Sequence, residues 1–194
     1  MKFYEIFENP KIYDLNAKIF SFNNKKLRYY LPQLINLKEN EKMLDVGCGT
    51  GRYAIFGENY IGVDPSRSYI DYAKENCQGK FLLMDGANLE FSDNSFDVVI
   101  NVSIFHHIPD QICHKIINEM VRVLRPGGRA YIADIVYPPK LNVLGNLLFR
   151  LDRGDYQRSF KDLADLIYQH QFELISDDIG GTFPYRWAIF SYKK

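Results

Sequence analysis

The stretch Leu44-Asp45-Val46-Gly47-Cys48-Gly49-Thr50-Gly51 sets three glycines at alternate positions directly after an apolar run. Glycine accepts a positive φ and allows close backbone approach, so this pattern is typical of a strand that turns sharply into a helix against a ligand. A dinucleotide-binding fold places its glycines at G-x-G-x-x-G. Here the third glycine comes one residue early, and Arg52 stands at the expected position. The spacing therefore disfavours NAD.

Four later segments complete the pattern in order: Ile61 to Ser66, Met84 to Ala87, Phe96 to Pro109, and Leu124 to Gly128. Together with the glycine loop, they resemble the motifs of the class I S-adenosylmethionine (SAM)-dependent methyltransferases, of the small-molecule, methyltransferase-11-like type. The resemblance spans about half of the chain. Five ordered matches are far more specific than a single glycine-rich loop.

Short apolar runs alternate with amphipathic segments, which predicts an α/β fold with a parallel sheet between two layers of helices. The strands are expected near 43 to 46, 60 to 63, 80 to 83, 97 to 102, 129 to 136, 172 to 179 and 186 to 192. The resemblance implies a Rossmann-like, doubly wound, seven-stranded and mostly parallel sheet with an antiparallel last strand and helices on both faces.

Proline and aspartate mark two helix starts. Asp64 and Pro65 are expected to open a helix from Ser66 to Cys77, with proline in the first turn. Pro109 and Asp110 open a second helix in the same way. A capping-box pattern at residues 159 to 162 predicts a third helix, which runs through residue 170.

The first crossover is short. Between Gly51 and Asp64 the chain has about one helical turn fewer than the resemblance implies, so the helix there is predicted only from Arg52 to Phe56. Removing a whole turn keeps the helix face pointing the same way. The cofactor edge is therefore compatible with this trimming, although its covering is reduced.

The 194 residues fit a single domain over the whole chain, 1 to 194. We divide it into an N-terminal helical flap, a cofactor-binding core, an insert or lid, and a C-terminal helix with a strand pair. These parts are residues 1–40, 41–136, 137–159 and 160–194.

Composition limits the function classes. Lysine plus arginine and aspartate plus glutamate balance at 24 each, so no global positive field favours a nucleic-acid partner. The cysteines Cys48, Cys77 and Cys113 are widely spaced, which predicts reduced thiols of a cytoplasmic protein and no metal site. No apolar run approaches the length of a membrane span. The oligomeric state stays open.

The resemblance implies that Gly47, Gly49 and Gly51 bring the loop backbone against the amino-acid half of SAM. It implies that Asp45 orients this loop and the amino group of the methionine part. The backbone carbonyl of Asn101, at the end of the fourth strand, would face the same amino group. The alternative for the glycines is a plain tight turn.

Two further acids match motif positions of the family. The turn Asp64, Pro65 and Ser66 would hold the ribose, with the carboxylate of Asp64 accepting from both hydroxyls. Its alternative role is a helix N-cap, and the two roles are compatible. Asp85 matches the acid that accepts from the adenine amino group, with the amides of the Gly86–Ala87 pair near the ring. The alternative for Asp85 is a solvated loop acid.

A candidate catalytic residue follows the fourth strand. Methyl transfer from a sulfonium has a neutral leaving group, so its rate depends mainly on orientation. A general base helps only where an acceptor hydroxyl or ammonium must lose a proton. Histidine is the residue type whose ordinary pKa lies near neutrality, so His106 and His107 are the candidates, and His106 is expected to line the methyl channel. The alternative is that one or both histidines hydrogen-bond the loop backbone.

Acceptor specificity is expected outside the matched core. The insert combines an apolar run with Arg150, Arg153 and Arg158, which predicts a lid for an amphiphilic or anionic acceptor. The alternative is a helix buried against the sheet, with its arginines solvated or paired with Asp152 and Asp155. The aromatic residues of the N-terminal flap either cover the site or pack on the sheet.

The leading functional interpretation is a SAM-dependent methyltransferase that acts on an oxygen or nitrogen atom of a small-molecule acceptor and releases S-adenosylhomocysteine. The alternative is a non-catalytic SAM-binding or partner protein that keeps the fold, and only the short first crossover favours it. A nicotinamide oxidoreductase is a third and more distant interpretation.

Overall fold

The computed structural model describes residues 22–138, 142–150, 155–179 and 186–194. Its strands form one seven-stranded sheet. They are β1 (Met43–Val46), β2 (Tyr60–Asp64), β3 (Lys80–Leu83), β4 (Phe96–Val102), β5 (Leu124–Val136), β6 (Glu173–Ile179) and β7 (Arg186–Lys193).

The strand order across the sheet is β3-β2-β1-β4-β5-β7-β6. Strands β1 to β5 pair in parallel, and β7 is antiparallel to both of its neighbours. The predicted sheet, with its antiparallel last strand, is therefore confirmed. The chain order reverses between β1 and β4, and in such sheets ligands bind beyond the carboxyl ends of the strands at this switch point.

Five α-helices and two short 3-10 helices lie in the described part of the chain. They are α1 (Phe22–Ile35), α2 (Arg67–Asn76), α3 (Asp110–Val123), α4 (Val143–Arg150), α5 (Phe160–Tyr168) and the 3-10 helices Ala54–Asn59 and Phe105–His107. Helices α3 and α5 pack on one face of the sheet, and α1 and α2 pack on the other. The sheet is thus covered on both sides, as predicted.

Helix α1 lies in the described part of the N-terminal segment, and it packs on the sheet. Its residues Leu27, Leu31 and Ile35 are fully buried, whereas Tyr29 is exposed. The buried side chains pack against the sheet in one apolar cluster with Trp187. The described part of the predicted flap is thus a sheet-covering helix, and residues 1–21 lie outside the described residues.

The start of α2 differs from the prediction. Asp64 ends β2, and the N-cap is Ser66, whose hydroxyl accepts from the amide of Tyr69. The prediction that proline lies in the first helical turn was therefore wrong, because Pro65 precedes the cap. The alternative role of Asp64 as a helix N-cap is also wrong.

The first crossover is a 3-10 helix and not the short α-helix predicted from Arg52 to Phe56. It begins at Ala54 and is interrupted at Gly57, where φ is 79°. Such a φ cannot continue a right-handed helix. The crossover still packs on the sheet, because Ala54, Tyr53 and Phe56 join the apolar cluster on the face of α1 and α2. Tyr60 begins β2 directly after it.

Helix α3 begins at Asp110, as predicted, and ends at Val123. Strand β5 begins earlier than predicted, because Leu124 already pairs with Phe96 of β4. The register then shifts, and regular pairing resumes at Arg129. The proline and glycines at 126 to 128 therefore lie in an irregular stretch of the strand.

One ion pair ties α1 to the sheet. The guanidinium of Arg129 binds both carboxylate oxygens of Glu41 at 2.8 Å and also donates to the carbonyl of Ile35 at the end of α1. The hydrogen bond from Arg129 is the main cause that lowers the pKa of Glu41 to about 2. The pair therefore stabilises the fold most above the ordinary pKa of glutamate.

Replacing Glu41 with glutamine is expected to lower the free energy of unfolding by about 2 kcal/mol at pH 7. The difference should fade between about pH 5 and pH 2, as Glu41 takes up a proton in the wild type. Denaturant melts over this pH range measure both effects. Glu58→Gln, an exposed control, should leave stability unchanged. A difference that persists undiminished at pH 2 would contradict the role of the ion pair.

Candidate active site

The glycine loop is anchored to β2 by main-chain hydrogen bonds. The amides of Gly47 and Cys48 both donate to the carbonyl of Val63, at 2.8 and 3.0 Å. Gly47 has a φ of +80°, and an added Cβ would lie 2.7 Å from the side chain of Ile104. The loop therefore packs tightly against the segment that contains Ile104 and His106.

Gly49 lies at the open face of this loop. Its φ is +53°, and apart from Gly49 and its two chain neighbours no atom of the described residues lies within 4 Å of the place that a Cβ would occupy. Its amide donates to the Oδ2 atom of Asp64 at 2.9 Å. The backbone here is thus accessible to a ligand on one side and held by a carboxylate on the other.

Asp64 connects the glycine loop to the start of α2. Its second oxygen accepts from the amide of Ser66 at 2.8 Å. The side chain is buried, and burial raises the pKa of its carboxyl although both amides act to lower it. Each carboxylate oxygen keeps a second lone pair, so Asp64 can still accept hydroxyl groups of a sugar.

Asp45 lies below the loop and accepts a hydrogen bond from the hydroxyl of Tyr60, with 2.5 Å between the oxygens. The carboxyl is almost completely buried. Burial raises its pKa to about 7, against the lowering effect of the Tyr60 bond, and the charge of Asp64 adds to the rise. The sequence predicted Asp45 as a site residue and missed Tyr60.

Asp85 is exposed and accepts from the amide of Ala87 at 2.9 Å. The amide of Met84 donates to the carbonyl of Asp64 at 3.1 Å, so the two predicted acids lie at the same edge of the sheet. Gly86 is buried, and an added Cβ there would lie 2.6 Å from Val46. The adenine contact of this segment stays a prediction.

Asn101 is the last residue but one of β4 and is fully buried. Its amide nitrogen donates to the carbonyl of Val46 at 2.8 Å. Its Oδ1 atom has no hydrogen-bond partner among the described residues. A buried acceptor without a donor is costly, so this atom marks a place where a donor from a ligand or water fits. The sequence predicted only the backbone carbonyl of this residue.

His106 lies in the 3-10 turn that follows Ile104 and is buried. Its Nδ1 atom is 2.6 Å from the Oδ1 atom of Asp134. Asp134 also accepts from the amides of Phe105 at 2.5 Å and Ile135 at 2.7 Å. Burial acts to raise the pKa of Asp134, but the charge and the hydrogen bond of His106 outweigh it and lower the pKa overall.

Asp134 was missed in the sequence, although a signal for it existed. It is an acid inside the apolar strand β5, where the neighbouring residues Ala133 and Ile135 are buried. A carboxylate in such a run needs buried partners. Parallel strands end at the same edge of a sheet. A partner for Asp134 was therefore to be expected in the loop after β4, which contains His106 and His107.

Arg158 fixes the histidine turn from the other side. It is buried, and its guanidinium donates to the carbonyls of Phe105 and Ile108 and forms an ion pair with Asp110. The amide of Tyr156 donates to the carbonyl of His106 at 3.1 Å. The expectation that Arg158 binds the acceptor was therefore wrong, because protein groups occupy its guanidinium.

Helix α4 lies in the predicted insert, and its residues Val143 and Leu147 are exposed. Gly145 of the same helix is buried. The lid and its alternative, a helix buried against the sheet, both stay predictions. Arg153 of the predicted lid and Asp152, a predicted partner in the alternative, lie outside the described residues.

Residues 44–132 match the family model of the methyltransferase domain. This segment of the chain belongs to the class I SAM-dependent methyltransferases. Binding of SAM is typical of this methyltransferase family. The glycine loop, the two edge acids Asp64 and Asp85 and the histidine turn of this chain all lie in the matched range. The family match and the glycine spacing together overturn the interpretation as a nicotinamide oxidoreductase.

Two curated relatives set the range of comparison. Methyltransferase GfsG of Streptomyces halstedii is 33% identical over 124 residues, which are 58% of this chain and 44% of that protein. Phosphoethanolamine N-methyltransferase 3 of Arabidopsis thaliana is 32% identical over 117 residues, which are 55% of this chain and 24% of that protein. The chain therefore spans less than half the length of these methyltransferases.

A solved methyltransferase structure supports the fold. A SAM-dependent methyltransferase from Thermotoga maritima, a possible histamine N-methyltransferase, matches with a TM-score of 0.73 and 20% identity. The match covers 98% of this chain and 99% of that chain. At this identity, the likeness extends to the methyltransferase fold alone.

The residues at the switch point fit the methyltransferase cofactor. The open space at Gly49 admits a ligand against the loop backbone. The side chain of Asn101 binds the carbonyl of Val46 at the start of the loop, and its Oδ1 atom has no partner among the described residues. Asp45 and Asp64 place acidic groups at the same loop, which suits the positive charges of SAM. These features come from the side chains and backbone of this methyltransferase, independently of the family match.

The described segments of the chain were compared with the features of a membrane span and of a metal site. None of their helices is long and apolar enough to cross a membrane. Their histidine, cysteine, aspartate and glutamate side chains form no group of three or more that could hold a metal ion.

Gly49→Ala is expected to weaken SAM binding by at least about tenfold, because the added methyl group fills the open space at the loop. The strained φ should cost about 1 kcal/mol of stability. Gly127→Ala is a matched control, since Gly127 has a φ of +78° and equally open surroundings but lies in β5. Calorimetric titration with SAM compares them. Equal affinities of the two variants would contradict the placement of the cofactor at Gly49.

Proposed function

We propose that this protein transfers the methyl group of SAM to an oxygen or nitrogen atom of a small-molecule acceptor and uses His106 as the general base. The family match supports the methyltransferase class. The observation that carries the choice of oxygen or nitrogen is the 2.6 Å contact between His106 and buried Asp134, next to the glycine loop. Transfer to a hydroxyl or ammonium group requires such a base, because the acceptor must lose a proton.

The cofactor would be held by the loop and the strand ends described above. The Gly47–Gly51 backbone and Asp45 would bind the amino-acid part, Asp64 the ribose, and Asp85 with the following amides the adenine. When bound, SAM supplies a methyl group on a sulfonium, whose departure as a thioether needs no proton. The chain's own contribution is therefore orientation and the handling of the acceptor proton.

Asp134 fixes the state of His106. When the Nδ1–H of His106 donates to the carboxylate, the imidazole carries its lone pair on Nε2. Nε2 then takes the proton from the acceptor hydroxyl or ammonium, and the charge of Asp134 stabilises the imidazolium that forms. Arg158 and Tyr156 hold the backbone of the turn, so the ring keeps its direction during the transfer.

The acceptor is proposed to be amphiphilic. Exposed apolar side chains lie on the insert, on helix α4 and at Tyr137 and Tyr156. Of these residues, Tyr156 contacts the histidine turn through its amide. An apolar part of an acceptor can cover them while its polar atom reaches His106. The proposed anionic part of the acceptor has less support, because Arg158 binds protein groups.

A non-catalytic SAM-binding role is the second candidate, and the short 3-10 crossover favours it. The two functions differ in turnover. A protein that binds SAM but releases no S-adenosylhomocysteine with a broad panel of alcohols, phenols and amines is a binding protein. Release that depends on an added acceptor establishes the enzyme.

Asp64→Ala is expected to weaken SAM binding about 100-fold or more, because it removes the ribose acceptor and the partner of the Gly49 amide. Isothermal titration of wild type and variant with SAM measures the change. Asp71→Ala, an exposed acid on α2, is the control and should bind as the wild type does. Saturable binding that Asp64→Ala leaves intact would count against the proposed site.

His106→Gln is expected to lower kcat about 100-fold or more, with KM for SAM changed less than about threefold. Asp134→Asn should also lower kcat, because the amide no longer stabilises an imidazolium. The assay follows S-adenosylhomocysteine with an acceptor whose hydroxyl has a pKa above the assay pH. His114→Gln on α3 is the control. Unchanged turnover in the His106 and Asp134 variants would exclude His106 as the base.

A further inference from the structure

Tyr60 and Asp45 form a buried pair beneath the cofactor loop that the proposed transfer step does not use. The hydroxyl of Tyr60 lies 2.5 Å from the Oδ2 atom of Asp45. Tyr60 is fully buried, and Asp45 is 1% exposed. Both side chains lie on the face of the sheet that α1 and α2 cover.

The phenol ring is held in place from several sides. An added Cβ at Gly79 would lie 3.0 Å from the ring, so the backbone of that residue packs directly against it. The ring of Phe81 lies 5.8 Å away between centroids. Because the ring is fixed, the direction of its hydroxyl toward Asp45 is fixed as well.

The groups that act on Asp45 are acids, thiols and a phenol. Tyr60 and Asp64 face it from β2, Cys48 from the glycine loop, and Cys77 from the end of α2 acts on the same cluster. On the other side, Asp45 pairs in register with apolar Ile100 of β4. Each of these titratable groups is either neutral or negative, so the pair lies in surroundings that a cation complements.

We propose that Tyr60 is a positioning residue for Asp45, and that binding of SAM at the glycine loop releases a proton from this pair to solvent. This inference rests on the proposed function, because SAM supplies the cation. A positive ligand stabilises the ionised carboxylate, and the Tyr60 hydroxyl then donates to that carboxylate. The proton moves from the Asp45 carboxyl to the buffer, and no covalent bond to carbon changes.

The direction of the pH dependence follows from the free protein. Burial keeps the pKa of Asp45 near 7 before the cofactor binds, and a bound cation lowers it. Below pH 7 the protein must therefore lose a proton to bind SAM. The affinity should rise with pH and level off above pH 7, and it should fall by up to about tenfold per unit below.

Titration calorimetry of the wild type with SAM tests the coupling between about pH 5.5 and pH 7.5, where the amino group of the ligand stays largely protonated. Measurements in two buffers of different ionisation enthalpy count the protons released on binding. We expect about half a proton near pH 7, rising toward one at lower pH.

Three variants test whether the released proton comes from Asp45. Tyr60→Phe removes a hydrogen bond that lowers the pKa of Asp45, so the midpoint of the affinity curve should move up by about one pH unit. Asp45→Asn keeps an acceptor for Tyr60 but cannot titrate, so its proton release should disappear. Tyr168→Phe, a half-exposed tyrosine on α5, should match the wild type.

The outcomes separate this inference from the proposed function. Proton release that Tyr60→Phe shifts and Asp45→Asn abolishes supports the inference. If the wild type binds SAM with no proton release, or with a release that both variants leave unchanged, the inference is wrong while the proposed cofactor site stands. If the wild type does not bind SAM at all, both are wrong. The proton count of the wild type decides the matter even where a variant fails to fold.

Discussion

The attachment of the loop after β1 to the end of β2 is the constraint on which the site depends. The carbonyl of Val63 accepts from two successive loop amides, and the carboxylate of Asp64 accepts from a third. These bonds hold the backbone in a bend with a positive φ at its open position, Gly49, and such a φ favours glycine. The cofactor surface is therefore formed by backbone, and the neighbouring strands supply the acids around it.

A second set of contacts orients the side of the site where chemistry is proposed. Asp134 holds His106 from the sheet, while Arg158 holds the carbonyls of the same turn from the insert. Ile104 packs on Gly47, so this turn and the glycine loop share one contact. The proposed cofactor loop and the proposed base are thus positioned by a single continuous structure, as an orientation-dependent reaction requires.

The strands and most helix positions could be predicted, because apolar periodicity and ordered motifs report them directly, and the family resemblance implied the antiparallel last strand. The helix of the first crossover was predicted less well. Gly57 interrupts it, and a short 3-10 helix does not show the periodicity of an α-helix in the sequence. Partners distant in sequence were missed: Tyr60 for Asp45, and Asp134 for His106. Such pairs depend on strand register, which a single sequence does not report.

The contacts of Arg158 and Tyr156 with the histidine turn bear on how new acceptor preferences arise in this scaffold. The segment that borders the acceptor side also supports the proposed base from behind. Under the proposed function, an exchange of this segment between relatives alters acceptor recognition and the support of the base in one step. A chimaera that retains residues 155–158 of the recipient keeps the contacts of Tyr156 and Arg158 with the histidine turn, and the proposed acceptor contacts on helix α4 can then be changed separately.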